Sequence, residues 1–201
     1  MEYYVGKDYS LGGITLLCKF DGQRVTMASQ IAGADETVSS LYSVKSEQAT
    51  MLSFDTYNYL VHYFGQPQGS MADDPNGTLG GDYEFVISDA TADRIELKGK
   101  KYGNRIVMKA FSADQTWKQY LTRIKKVEDD AFFYEYDLRM DGLYTGQMLR
   151  SNYTFIVTYY DEVGKVHQKT VPFMFTTDGM RFHEPVTIDG QTMQNFVWKN
   201  E

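Results

Sequence analysis

Apolar residues in this chain recur mostly at every second position, and the runs they form are cut by Asp-Gly pairs. Asp21-Gly22, Asp141-Gly142, Asp178-Gly179 and Asp189-Gly190 each stand between two such runs. Period two places successive side chains on opposite faces of a strand. An Asp-Gly pair supplies the positive φ that a tight hairpin turn demands. A chain written this way is confined to antiparallel sheets whose neighbouring strands follow one another in sequence.

Ile14, Leu16, Cys18 and Phe20 share one phase, and Val25–Ala28 resumes after the first turn. Thr37–Lys45 and Met51–Asp55 read as further strands. Tyr83, Phe85 and Ile87 oppose Glu84, Val86 and Ser88; Ile95–Leu97 and Arg105–Lys109 complete a meander of three strands. Later come Phe132–Arg139, Tyr153–Tyr160, Val166–Thr177, Met180–Ile188 and a last run ending at Trp198. Pro172 inside Val166–Thr177 predicts an edge or bulged strand, since proline cannot donate to a ladder. The dense run Tyr57–Phe64 fits no clean alternation, and the Gly/Pro-rich stretch Gly65–Asp82 reads as a long loop. Residues 20–25 loosely echo residues 177–182, each a hairpin with arginine two places past the glycine, as in a weak duplication or by chance.

One segment departs from period two. Trp117, Tyr120, Leu121, Ile124 and Val127 recur at helical spacing. Ser112 with Gln115 three residues on has the form of a capping box, and Glu128-Asp129-Asp130 opposes the dipole at a helix C-terminus. The spacing predicts a helix over 113–127. The expected fold is therefore mainly β: antiparallel meanders forming barrel-like or sandwich sheets in two halves, residues 1–111 and 131–201. The connecting helix lies within 112–130, and all three are expected to pack as one unit.

The net charge is −7, and the basic runs Lys98–Lys101 and Arg123–Lys126 are short, which argues against a nucleic-acid partner. The single cysteine, Cys18, allows neither an intramolecular disulfide nor a cysteine-based zinc site. In phase with Ile14 and Phe20, it reads as a small buried hydrophobe. No apolar run approaches the roughly 20 residues that span a bilayer as a helix, and no signal peptide is read at the N-terminus. The chain is expected to be cytoplasmic, or the mature part of an exported protein.

Nothing in the sequence has the form of a catalytic motif. His62, His167 and His183 are scattered, so no metal site is expected, and no motif implies a cofactor. Glu84, Glu96, Glu135 and Asp137 could build a carboxylate pair for glycoside hydrolysis, but each stands on the polar phase of its strand. Asp73, Asp74 and Asn76 lack the spacing of a calcium loop and fit turn chemistry. Aromatics make up 15% of the chain, 16 of them tyrosines, and one cluster, Tyr57, Tyr59, Tyr63 and Phe64, comes just before the long loop. Rings with apolar bodies and polar tips suit sugars or protein surfaces. Tyr57, Tyr59, His62 and Tyr63 are the candidate ligand-binding residues, with Tyr159 and Tyr160 as a second pair.

Several stretches together carry a resemblance. They are Tyr3-Tyr4, Gly12-Gly13 leading into Ile14–Phe20, Val25–Ser29, Leu52–Asn58, Gly80–Phe85, Leu97–Asn104, Phe175–Pro185 and Ile188–Gly190. The chain resembles an uncharacterised family of exported lipoproteins from Bacteroidetes-type gut bacteria, classed as a domain of unknown function. The resemblance implies export, a lipidated cysteine ahead of this sequence, and placement at the outer membrane, cell surface or periplasm, with membrane contact only through that anchor. It supplies no catalytic residues. Three functions follow as expectations: non-enzymatic binding of an extracellular glycan or protein, a carboxylate-pair hydrolase, or a scaffold subunit.

Overall fold

The computed structural model describes residues 1–46, 48–67, 78–131, 133–161, 163–188 and 190–199. The chain divides into two compact units, Met1–Tyr9 with Ile14–Thr122, and Ser10–Gly13 with Arg123–Glu201.

The first unit is a closed antiparallel barrel of eight strands in chain order: β1 (Glu2–Tyr4), β2 (Gly13–Asp21), β3 (Arg24–Ser29), β4 (Val38–Ser46), β5 (Thr50–Phe54), β6 (Glu84–Ala90), β7 (Arg94–Gly99) and β8 (Arg105–Lys109). Closure comes from β8 returning to β1, with Tyr3 opposite Ile106. An eight-stranded barrel is just wide enough for side chains to fill it. Tyr3, Phe54, Phe85, Leu97 and Ile106 do so, all buried. The Phe85 ring meets Tyr3 at 5.8 Å and Phe54 at 6.2 Å, both edge to face. Each such ring contributes roughly 1.5–3 kcal/mol by leaving water.

The second unit is an open antiparallel sheet of order β14-β13-β12-β11-β10-β9. Its strands are β9 (Glu135–Met140), β10 (Leu143–Ser151), β11 (Thr154–Tyr160), β12 (Val166–Phe175), β13 (Gly179–Ile188) and β14 (Gln191–Val197). Its core is phenylalanine. Phe155 stacks on Phe173 at 4.3 Å, and Tyr136 and Phe182 close on Phe155 edge to face. The mainly β fold with two antiparallel sheets and a helix between them is as the sequence predicts.

The helix, α2, spans Trp117–Asp130, three to four residues later than predicted. Its capping box is Thr116 with Gln119, in place of Ser112 with Gln115. The Thr116 backbone N–H donates to Gln119 Oε1 at 2.9 Å, and the Gln119 N–H donates to Thr116 Oγ1 at 3.2 Å. At the other end, Tyr153 donates to Glu128 Oε1 at 2.5 Å and Lys126 pairs with Asp130 at 2.7 Å. These partners offset the unfavourable dipole contact that argued for an earlier stop. Leu121 lies between Leu17 and Ala28 in the first unit's core.

The Asp-Gly pairs do three different jobs. At Asp141-Gly142 both residues have positive φ, +50° and +81°, as a type I′ hairpin requires. At Asp21-Gly22 the aspartate pairs with Arg24, so the loop is Gly22-Gln23 with φ +57° at the glycine. At Asp178-Gly179 the loop is Thr177-Asp178, and the Thr176 N–H donates to the Gly179 carbonyl at 2.8 Å. Gly179 lies in β13, where a Cβ would fall 1.8 Å from the Phe196 carbonyl oxygen. The echo between residues 20–25 and 177–182 is thus not structural, because the glycines hold different turn positions. Asp189 lies outside the described residues.

Three further features have local causes. The stretch between Asp141-Gly142 and Asn152, not read as a strand, is β10, held on both sides by β9 and β11. Tyr57–Phe64 fits no alternation because it holds a short helix, α1 (Tyr59–His62). β12 is an interior strand of the sheet, but at Pro172 it is locally an edge, in keeping with the expectation from proline. Pro172 faces Thr154 of β11, and pairing with β13 begins only at Phe173, so among the described residues its missing N–H forgoes no β13 bond. Much of the predicted long loop, with Asp73, Asp74 and Asn76, lies outside the described residues.

Candidate functional site

Asp55–Gln66 leaves the barrel after β5 and turns once as α1. Asn58 caps that turn, accepting from the Leu60 N–H at 3.2 Å while its amide donates to Ser40 Oγ at 3.2 Å. Helical spacing then sorts the side chains: Leu60, Val61 and Phe64 go into the core, while Tyr57 and Tyr63 stay 63% and 41% exposed. The Asn58 N–H donates to His62 Nδ1 at 3.1 Å and orients the imidazole. That ring stacks on Tyr83 at 4.8 Å with planes 20° apart, and Tyr57 stands 5.6 Å from it, tilted by 41°. Tyr57, His62 and Tyr83 therefore form a row of rings on the surface of the first unit.

Beside the row is a cleft of about 90 Å³ whose lining includes Gly65, Gly81, Tyr83, Glu84, Lys100 and Tyr102. Two glycines allow the chain segments to meet there. A Cβ on Gly81 would fall 2.3 Å from Phe64 Cβ, and one on Gly65 would fall 2.8 Å from the Gly81 carbonyl. Lys100 Nζ pairs with Glu84 Oε2 at 3.2 Å, and Lys101 Nζ sits 4.5 Å over the Tyr102 ring. Beneath lies buried Asp82, whose carboxylate accepts the backbone N–H groups of Lys101, Tyr102 and Asn104 at 2.8, 3.1 and 3.1 Å. Asn104 Oδ1 accepts from the Asp82 N–H at 2.9 Å and from the Tyr3 hydroxyl at 3.2 Å. Burial pushes the Tyr3 phenol well above its ordinary value, so it acts as a hydroxyl donor. The cleft thus rests on a fixed floor.

The candidate residues separate into groups. Tyr57 and His62 join the ring row. Tyr59 donates to Glu36 at 2.5 Å, and that hydrogen bond pushes its phenol up to about 12. Tyr63 packs edge to face on Phe64. Tyr159 and Tyr160 belong to the second unit, on β11, and as strand neighbours they point to opposite faces. There Tyr159 stacks on His167 at 5.2 Å, and His167 Nε2 meets Asp161 Oδ2 at 2.9 Å. The sequence marks neither Tyr83 nor Lys100 as a candidate, and it marks Glu84 only as a possible member of a carboxylate pair. Tyr83 was placed in phase with Phe85, yet it precedes β6 and points outward. The nearness of Tyr83 to Gly80-Gly81 was the available signal.

The strand acids are matched to neighbours: Glu96 to Arg94 and Arg105, Asp137 to Arg139, Glu135 to Gln147, and Glu84 to Lys100. Among the described residues no group of three or more His, Cys, Asp or Glu side chains is placed to hold a metal ion. Burial pushes the Cys18 thiol up to about 12, and its sulfur lies 3.3 Å from Met1 Sδ. Among the described residues no helix is long and apolar enough to cross a membrane.

The site can offer ring faces for stacking, with a cation, a carboxylate and hydroxyl tips beside them. No curated protein and no solved structure matches the chain. A family model described as a domain of unknown function, DUF4302, matches residues 1–200. The chain therefore belongs to the DUF4302 family.

Proposed function

We propose that this chain is a non-enzymatic binding domain that takes an extracellular glycan on the Tyr57–His62–Tyr83 row. The observation that supports this reading is the row of rings itself, with Tyr57 and Tyr83 exposed around half-buried His62 and the Glu84–Lys100 pair beside Tyr83. A pyranose presents an apolar C–H face to a ring and hydroxyls around its edge. Tyrosine and histidine faces with a nearby carboxylate and ammonium complement both. The export and lipid tether implied by the resemblance agree with an extracellular ligand and belong to the same proposal.

A glycan array of host and dietary polysaccharides, followed by calorimetry on any hit, tests it. Loss of one stacking ring, as in Tyr83→Ala or Tyr57→Ala, is expected to weaken binding roughly 3- to 10-fold, about 0.5–1.5 kcal/mol. Tyr160→Ala in the second unit is expected to leave it unchanged. No binding across the array, or binding indifferent to both row substitutions, overturns the reading.

A further inference from the structure

The eight strands of the barrel pair in chain order, but one of them changes partner partway along. The first half of β4, Val38–Leu41, pairs with β3, and the second half, Tyr42–Ser46, pairs with β5. The handover is at Tyr42, whose N–H donates to the Gln23 carbonyl at 3.0 Å, the last bond on the β3 side. Beyond it the β2–β3 turn at Gly22-Gln23 ends, and β4 continues past it.

Backbone alternation says which groups are left over. Leu41 directs its N–H and C=O toward the β5 side, donating to Thr56 Oγ1 at 2.8 Å and accepting from Asp55 at 2.9 Å. Tyr42 therefore faces the β3 side, Ser43 the β5 side, and Val44 the β3 side again. The Val44 N–H and C=O and the Tyr42 C=O face a place where, among the described residues, no strand lies beside them. That place is concave. A groove of about 420 Å³ is lined by Gly22, Gln23, Tyr42, Ser43, Val44 and Asp55, with Leu41 at its edge. Val44 is 56% exposed and Leu41 37% exposed. Phe20 packs edge to face on the Tyr42 ring at 4.8 Å and fixes it. The Ser53 hydroxyl first, and the nearby charge of Lys45, hold the Asp55 carboxyl below the usual carboxylate range.

We propose that this groove is a docking site for an extended peptide segment of a partner protein, which pairs with the Val44 edge as an added strand and sets a lysine or arginine against Asp55. A free N–H and C=O spaced along a strand edge are matched by another extended backbone. Exposed Val44 and Leu41 give the guest's apolar side chains a surface. The exposed carboxylate of Asp55 selects a basic residue over an acidic one. This site lies on the first unit and is distinct from the ring row.

The test uses the full chain and three capped heptapeptides that alternate valine with lysine, threonine or glutamate, read by fluorescence polarisation. The lysine peptide is expected to bind at least tenfold more tightly than the glutamate peptide. Asp55→Asn is expected to erase its advantage over the threonine peptide. Val44→Pro removes the outward N–H without touching a β5 bond and is expected to abolish binding. Amide hydrogen exchange on the unaltered chain gives a reading independent of that variant's folding: Val44 exchanges quickly alone and slowly with the lysine peptide. The proposal is overturned if no peptide binds, if a folded Val44→Pro chain binds undiminished, or if Val44 stays unprotected by the peptide. It is also overturned if the free chain sediments as a dimer that Val44→Pro dissociates, since a second copy would then occupy the edge.

Discussion

Asp82 shows how one residue can organise a surface it does not belong to. Its carboxylate gathers three backbone N–H groups from the turn after β7, and Asn104 ties that turn to the carbonyls of Gly80 and Gly6 at 3.0 and 3.3 Å. Asp82→Ala would leave the buried Asn104 N–H and the part-buried Lys101 and Tyr102 N–H groups without their acceptor, at about 1–3 kcal/mol for a fully buried donor, so a loss of about 2–4 kcal/mol is expected in urea unfolding. A loss under about 1 kcal/mol would show that the node is dispensable. Gly99→Ala should act through the same node, because its Cβ would fall 1.9 Å from Asp82 Oδ2. Two pKa shifts give solution tests. Removing the Glu36 acceptor by Glu36→Ala should return the Tyr59 phenol from about 12 toward 10.0, read by ultraviolet titration. Cys18, held near 12 against an ordinary 9.0, should resist a thiol reagent at pH 8 in the native chain and react readily in denaturant. Its folded value is the raised one, so its contribution to stability is intact below pH 9 and is lost as pH rises through 9 to 12.

At the scale of elements, the capping box of α2 was legible in type and misplaced in position. Ser112 and Thr116 each stand three residues before a glutamine, and only packing of Trp117 and Leu121 against Leu17 and Ala28 selects the second. Thr116→Ala should cost about 1 kcal/mol and Ser112→Ala almost nothing, measured as shifts in the urea midpoint. Equal costs would show that the helix begins earlier. Pro172 tests the account of β12. With no β13 bond forgone at that position, Pro172→Ala should change stability by no more than about 0.5 kcal/mol.

The whole molecule is two β units, each with its own aromatic core. Truncating a core ring in either leaves a cavity at a cost of roughly 3–5 kcal/mol. Phe85→Ala should speed amide exchange in the strands of the barrel, and Phe155→Ala in the strands of the open sheet, by mass spectrometry of peptic fragments. Acceleration confined to the unaltered unit would contradict the assignment of these rings to separate cores.

Alternation, turn glycines and one helical stripe were enough to read a mainly β chain with a helix between two antiparallel halves, because those signals are local and each depends on a period the backbone imposes. The ring row was half legible: Tyr57 and His62 stand in the dense aromatic run, but their order on the surface comes from the single turn of α1 and from Tyr83, twenty-one places beyond His62. The sequence by itself determined most of the strands, though not β10, and which turns could reverse them. Only the tertiary structure decided that the first eight strands close while the last six stay open, and that among the described residues no strand lies beside Val44 on its β3 side. It also decided that Gly22 and Gly142 sit in loops while Gly179 sits in a strand. Those outcomes depend on which backbone edges meet across long separations, and an N–H carries no mark in the sequence of the carbonyl it will find.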